Sequence, residues 1–242
     1  MMAPRADILL AERGFFESRA KARAAIEAGL VSADGITIAK PSQDIASQAE
    51  IVAESPHPFV SRGGVKLDFA LEHFGIDVTG RYCLDLGAST GGFTDALLQR
   101  GARHVVAVDV GSGQVHPRIA QDARVTSFEK LDARALEPAH LAESPTLIVC
   151  DASFISLTLL LGRPLSLAAK DATLVALIKP QFEAGRGAGK KGIVRQASAH
   201  EAACEKIASA LAGLGWRVLG ITPSPIQGGD GNREFLICGK RP

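Results

Sequence analysis

The sequence predicts an α/β protein: a doubly wound parallel sheet carrying an antiparallel hairpin at its edge, with a small α+β unit at the amino-terminal end. Three observations predict this. From Arg81 onward, apolar strand-like runs alternate with helix-like stretches, the pattern of a parallel sheet covered by helices on both faces. The last two strand-like runs, in "WRVLGITPSPIQGGDGNREFLICGK", are joined by a Pro/Gly-rich stretch with no helix between them, so they should pair antiparallel. Near Pro56 the pattern changes character, and "SPHPFVSRGG" carries prolines at 56 and 58 and paired glycines at 63 and 64, which is linker chemistry. The expected division is a small unit over 1–55, a linker over 56–63 and a large unit over 64–242.

Each element has its own signal. In the small unit a first helix stops at Gly14, a second is capped by Ser18 and ended by Gly29, and a hairpin turns at "ADG". In the large unit "YCLDLG" reads as a strand, a helix begins near Gly92, "HVVAVDV" is a second strand, and a short helix lies near Ile119. "VTSFE" and "TLIVCD" are strands, a helix starts at Ser156, "TLVALIK" is the next strand, and a helix over 198–214 precedes the hairpin.

Composition sets bounds on function. A chain of 242 residues, 46% hydrophobic and 22% charged, is globular and long enough for one large domain and an appendage. Its net charge of +1 means that a polyanion must be held by local basic clusters, not by the field of the whole molecule. The cysteines at 83, 150, 204 and 238 have no metal or redox spacing and read as buried thiols. "MMAPRADILLAERG" has charge on both sides of a very short apolar segment, unlike a signal peptide. No later run approaches the ~18 apolar residues of a membrane span, so a cytoplasmic protein is expected.

The candidate site follows from the sheet. In open parallel sheets, ligands sit beyond the carboxyl ends of the strands at the switch point. Four features fall there: the turn Gly87–Gly91, Asp109, Asp132 and Asp151. Asp109 lies about 20 residues beyond the turn, where an acid can accept both hydroxyls of a ribose. Ser89 occupies the middle of the turn, where dinucleotide folds place a glycine for pyrophosphate. The turn therefore suits a nucleoside cofactor that brings no pyrophosphate, and S-adenosylmethionine is one. For Asp132, capping a loop is an equally good reading. Phe154 is expected to pack in the core, with base stacking as the other reading.

In order, "VSRGGVKL", "DLGASTGGFTD", "CDASFISL", "LIKPQFEAGRGAGKKGIVR" and "GNREFL" resemble the TlyA (hemolysin A) family of S-adenosylmethionine-dependent rRNA ribose 2′-O-methyltransferases. Phe59 stands where a Tyr is common, and Lys191 where a Gly is usual. The resemblance implies a Rossmann-like methyltransferase fold, S-adenosylmethionine as cofactor and ribosomal RNA in a ribosomal subunit as partner. It also implies a Lys-Asp-Lys-Glu tetrad at Lys66, Asp151, Lys179 and Glu234. Cofactor contacts would come from Gly87, Ala88, Ser89, Thr90, Gly91, Asp109, Asp132 and Asp151. Lys179 would be the base or the orienting group, with the carboxylates positioning the lysines. Taken singly, a strand-end lysine is usually a solvated residue, and Glu234 could simply pair with Arg233.

The first ~55 residues resemble the small RNA-binding domain shared with ribosomal protein S-four, a size that suits an appended module. RNA contacts are expected from Arg5, Ser18, Arg19, Lys21, Arg23 and Lys40 in this unit. Arg62 and the basic loop residues Arg186, Lys190 and Lys191 should add to them. Acids outnumber bases over 1–55, so any binding relies on the "ESRAKAR" cluster. The chain also resembles a short form of the family, lacking extra residues at both ends, which implies large-subunit rRNA as its target. The rival readings are a membrane-active haemolysin and an RNA-binding protein with a non-catalytic methyltransferase domain.

Overall fold

The computed structural model describes residues 3–54, 56–183, 193–228 and 230–242. They fall into two units, Met1–Pro58 and Phe59–Pro242.

The first unit packs α1 (Ala6–Glu12) and α2 (Arg19–Glu27) on a three-stranded antiparallel sheet of β1 (Val31–Ala33), β2 (Ile36–Thr37) and β3 (Ile51–Ala53), in the order β2-β1-β3. Asp34 and Gly35 both have positive φ, +50° and +78°, the two-residue hairpin conformation that follows the twist of the flanking strands. Leu10, Ala22, Ala25, Ile26, Val31 and Ile38 form its core. The third strand was not expected, because three residues are too few to show a period.

The second unit runs through α3 (Arg62–His73), β4 (Tyr82–Leu86), α4 (Gly92–Gln99), β5 (His104–Asp109), α5 (Pro117–Ala120), β6 (Val125–Glu129) and β7 (Leu147–Cys150). It continues through α6 (Leu157–Leu160), α7 (Gly162–Ser166), β8 (Thr173–Ile178), α8 (Pro180–Glu183), α9 (Ala197–Gly213), β9 (Arg217–Pro223) and β10 (Phe235–Lys240). The sheet order is β6-β5-β4-β7-β8-β10-β9, parallel from β6 to β8, with β10 antiparallel to both β8 and β9. The expected hairpin is present, and its second strand lies inside the sheet, leaving β9 at the edge. A separate core covers each face of the sheet, and β4, β7 and β8 are buried along their whole length. Strands buried on both faces read as continuous apolar runs, which is why the sequence signals them so plainly.

Gly63 and Gly64, expected in a linker, lie instead in the first turn of α3, and Phe59 and Val60 are buried in the second unit's core. The glycines serve close packing rather than flexibility. A Cβ on Gly64 would lie 2.3 Å from Phe59 Cγ, and one on Gly92 would lie 2.1 Å from Ser61 Oγ. All four cysteines are free thiols, and burial pushes those of Cys83 and Cys150 up to about 12.

Candidate active site

The parallel register brings the site together. β4 pairs Leu86 with Val108 of β5 on one side and with Cys150 of β7 on the other, so Gly87, Asp109 and Asp151 emerge side by side at the switch point. Gly87 has φ +79°, and a Cβ there would stand 2.9 Å from Ala152 Cα. Only glycine suits that backbone and that approach. The turn then crosses Ser89, itself at φ +48°, and enters α4 through Gly91 at φ +92°.

Asp109 holds the turn. The Ser89 N–H donates to Asp109 Oδ2 (2.8 Å) and the Gly111 N–H to Oδ1 (2.7 Å). Each carboxylate oxygen thus keeps acceptor capacity for a further donor. A cavity of about 540 Å³ opens beside them, reached by Gly87, Ser89, Asp109, Asp132, Asp151 and Phe154. That volume falls within the range of small-molecule and cofactor sites. A smaller cavity of about 170 Å³ adjoins the turn, with Thr90, Asp151, Ser153 and Lys179 on its wall. Ser89, Asp151 and Ser153 line both spaces.

The four residues implied as a tetrad meet here as two ion pairs. Lys66 Nζ donates to Glu234 Oε2 at 2.6 Å, with both side chains nearly excluded from solvent. Lys179 Nζ lies 2.7 Å from Asp151 Oδ1 and donates to Ser153 Oγ at 2.7 Å, with the Asp151 carbonyl oxygen at 3.4 Å. The fold explains the meeting. Asp151 and Lys179 directly follow the parallel strands β7 and β8, and the register pairing Phe235 with Ile178 carries Glu234 opposite Lys179. Lys66 lies one turn along α3 from Gly63, where a Cβ would be 3.6 Å from Asp151 Oδ2. Glu234 therefore pairs with Lys66, not with Arg233, whose guanidinium lies over the Phe235 ring.

One acid beneath the site was missed by the sequence reading. Asp85 is fully buried in β4, accepts from Thr94 Oγ1 (2.6 Å), and its Oδ1 has no hydrogen-bond partner among the described residues. Burial raises its carboxyl to about 7 against the Thr94 hydrogen bond, and the nearby Asp151 adds to the rise. An acid inside the apolar run "YCLDLG" is the signal that could have revealed it.

One sequence expectation is revised, and at Asp132 both readings stay open. Phe154 is not in the core. It is 90% exposed at the cavity mouth, at φ +67°, with its ring 5.2 Å from that of Phe182. A bulky residue in the left-handed region is costly unless the surroundings impose it. Asp132 lines the larger cavity and also caps the 3₁₀ turn Ala133–Ala135, accepting from the Arg134 N–H (2.9 Å) and pairing with the Arg134 guanidinium (2.6 Å), which lowers its carboxyl below the usual range.

The basic residues divide in a similar way. In the first unit Arg5, Arg19, Arg23 and Lys40 are exposed and Lys21 is half-buried. Lys21 pairs with Glu17, just before α2, and Arg23 with Glu27 at its last residue. The Ser18 hydroxyl caps α2, accepting from the Lys21 N–H (3.3 Å). In the second unit Arg62 is exposed and donates to the Gln227 carbonyl at 2.5 Å. Arg186, Lys190 and Lys191 lie outside the described residues.

Comparison with known proteins identifies the chain's relatives. Residues 59–241 match the FtsJ-like methyltransferase family model, and residues 4–51 match that of the S4 domain. The chain is 42% identical over 236 residues to the 16S/23S rRNA (cytidine-2′-O)-methyltransferase TlyA of Mycobacterium tuberculosis, covering 96% of this chain and 88% of the relative. It is 39% identical to Hemolysin A of Brachyspira hyodysenteriae, covering 96% and 98% of the two chains. A 23S rRNA (cytidine-2′-O)-methyltransferase TlyA of Campylobacter jejuni is 38% identical over 180 residues, which is 74% of this chain and 69% of that one. A solved structure from Streptococcus thermophilus, described as a candidate hemolysin, superposes with TM-score 0.78 at 41% identity, over 100% of this chain and 89% of that one.

Proposed function

The chain belongs to the TlyA family of FtsJ-like methyltransferases, and from that premise we propose that it transfers a methyl group from S-adenosylmethionine to a cytidine ribose 2′-hydroxyl of large-subunit rRNA. The 23S target is common to the names of the two rRNA-modifying relatives above. The observation that carries the chemistry is the convergence of Lys66–Glu234 and Lys179–Asp151 beside the glycine turn. A purely RNA-binding role would leave these two ion pairs beside the turn without a use. No helix among the described residues is long and apolar enough to cross a membrane. A cytoplasmic site of action fits an rRNA substrate.

The residues fit the cofactor. The larger cavity has room for it, Asp109 keeps acceptor capacity for ribose hydroxyls, and Gly87, Ala88, Ser89 and Thr90 line one or both cavities, while Gly91 packs against Ile119 and would shape the turn. Asp151 would border it, as would Asp132, although paired with Arg134. The cofactor supplies an electrophilic methyl group, so the protein's part is alignment, desolvation and charge.

Lys179 Nζ lies in ion-pair range of Asp151 Oδ1 and donates to Ser153 Oγ and to the Asp151 carbonyl oxygen. It thus orients the ribose oxygen and stabilises negative charge developing on it, exchanging one of these partners for the substrate. Asp151, one-fifth exposed and lining both cavities, takes the hydroxyl proton as the new bond to the methyl group forms. Lys66 and Glu234 neutralise each other in the buried wall and hold α3 against the start of β10. Phe154, exposed and strained at the cavity mouth, offers a face on which a nucleobase can stack. RNA contacts in the first unit fall to Arg5, Arg19, Lys21, Arg23 and Lys40, with Ser18 holding the start of α2. Arg62, Arg186, Lys190 and Lys191 would serve the second unit. The sequence leaves the oligomeric state open, a monomer being one reading.

The test is methyl transfer from labelled cofactor to separate large and small ribosomal subunits. Label in the large-subunit rRNA alone is the expected result. Efficient labelling of the small subunit would refute the single-target assignment.

A further inference from the structure

We propose that Asp7 is a positioning residue for RNA: a buried carboxylate that pins the guanidinium groups of Arg5 and Arg19 together as a two-arginine fork for a phosphate of the substrate. The proposal rests on the RNA-binding reading of the first unit.

The geometry is unlike that of the other charges nearby. Asp7 sits in the first turn of α1 with its side chain 0% exposed, whereas the side chains of Arg5 and Arg19 are 45% and 58% exposed. Arg5 Nε donates to Asp7 Oδ1 and an Arg5 terminal nitrogen to Oδ2, both at 3.0 Å. A terminal nitrogen of Arg19 donates to the same Oδ2 at 3.1 Å. Hydrogen bonding to Arg5, ahead of that to Arg19, holds the Asp7 carboxyl down at about 2 against the cost of burial, so the anion persists at any physiological pH. A buried carboxylate needs such partners. One arginine would serve that need, and here there are two, from different helical segments, sharing one oxygen.

The consequence lies on the outer side. Each guanidinium commits one edge inward and keeps other N–H groups outward, and planar N–H pairs are the geometry that takes phosphate oxygens bidentately. Without the carboxylate between them the two cations would repel and swing apart. With it they are held as two cations about one carboxylate, with the Asp44 carboxylate also acting on Arg5. Lys21 and Arg23, by contrast, pair with exposed glutamates four residues away in sequence, Glu17 just before α2 and Glu27 at its end, contacts that are weak and screened by salt.

Positioning and plain charge predict opposite signs for one substitution. If Asp7 acted only as a negative charge near a polyanion, Asp7→Asn would tighten RNA binding. The fork predicts weaker binding, by about 10-fold, the loss expected of one well-placed arginine contact. The experiment measures Kd of the full chain for purified large-subunit rRNA across a salt series, with folding checked by circular dichroism. Arg5→Gln with Arg19→Gln should weaken binding and reduce the salt slope by about one or more. Unchanged affinity there would overturn the RNA reading of this unit and the proposal with it. Given that loss, Asp7→Asn should weaken binding alone yet add nothing to the glutamine pair. Arg5→Lys with Arg19→Lys, which keeps every charge, should also weaken it. Binding as tight as the parent's by Asp7→Asn, or by the lysine pair if Asp7→Asn does not fold, would overturn the fork.

Discussion

Lys179 and Lys66 look alike in sequence and differ in what their loss would do. Lys179 faces Asp151, whose side chain is partly exposed, so Lys179→Ala leaves that carboxylate access to water. Methyl transfer should fall below detection with cofactor affinity and melting temperature nearly unchanged, and transfer at a comparable rate would remove Lys179 from the chemistry. Lys66→Met instead strands Glu234, 3% exposed, without its partner. Breaking a buried pair costs ~3–5 kcal/mol, so that variant should melt well below the parent, and an equal melting temperature would contradict the pairing. Asp109→Ala should weaken cofactor binding by ~1.5–3 kcal/mol in calorimetry, the worth of hydrogen bonds to a charged group. Asp85 makes a pH prediction. Its folded-state carboxyl sits near 7 against an ordinary 3.8, so its contribution to stability is full below about 4 and is lost as pH rises toward about 7. Asp85→Asn does not titrate, so its melting temperature should gain on the parent's between pH 5 and pH 8. A constant difference would place the Asp85 pKa elsewhere. Sequence alone left the tetrad open: Lys66 and Glu234 are 168 positions apart, and each has an ordinary surface explanation until the fold joins them. Only the family resemblance named them together.

At the scale of elements, legibility followed burial and length. The doubly buried strands and the hairpin could be read because their apolar runs are long and their connections differ in kind, helix against turn. The start of α3 could not, because paired glycines signal a flexible linker in sequence and close helix packing in space. That distinction is testable. Gly64→Ala places a Cβ 2.3 Å from the Phe59 ring, so the second unit should lose stability by ~1–3 kcal/mol, as overpacked cores do. A mere linker would tolerate the change. Gly87→Ala is predicted to act on catalysis as well, because the new methyl would press on the backbone that carries Asp151. Phe154 is the converse case. An aromatic residue in "CDASFISL" reads as core by composition, and the positive φ that turns it outward has no sequence signal in a residue other than glycine.

The whole molecule joins a net charge of +1 to an RNA substrate, so affinity must come from few, well-placed cations. Binding should therefore fall steeply with salt through a small number of phosphate contacts, and replacing Arg19 and Lys21 together should abolish binding before it alters the chemical step. Salt-insensitive binding would count against phosphate contacts altogether. The central proposal is that Lys66, Asp151, Lys179 and Glu234 serve methyl transfer to a ribose oxygen of large-subunit rRNA. It is tested most directly by mass-spectrometric nucleoside analysis of large subunits incubated with S-adenosylmethionine and either the parent chain or Lys179→Ala. The account predicts 2′-O-methylcytidine at one mapped position with the parent and none with the variant. Methylation of a base instead of the ribose, or product formed equally by the variant, would contradict it.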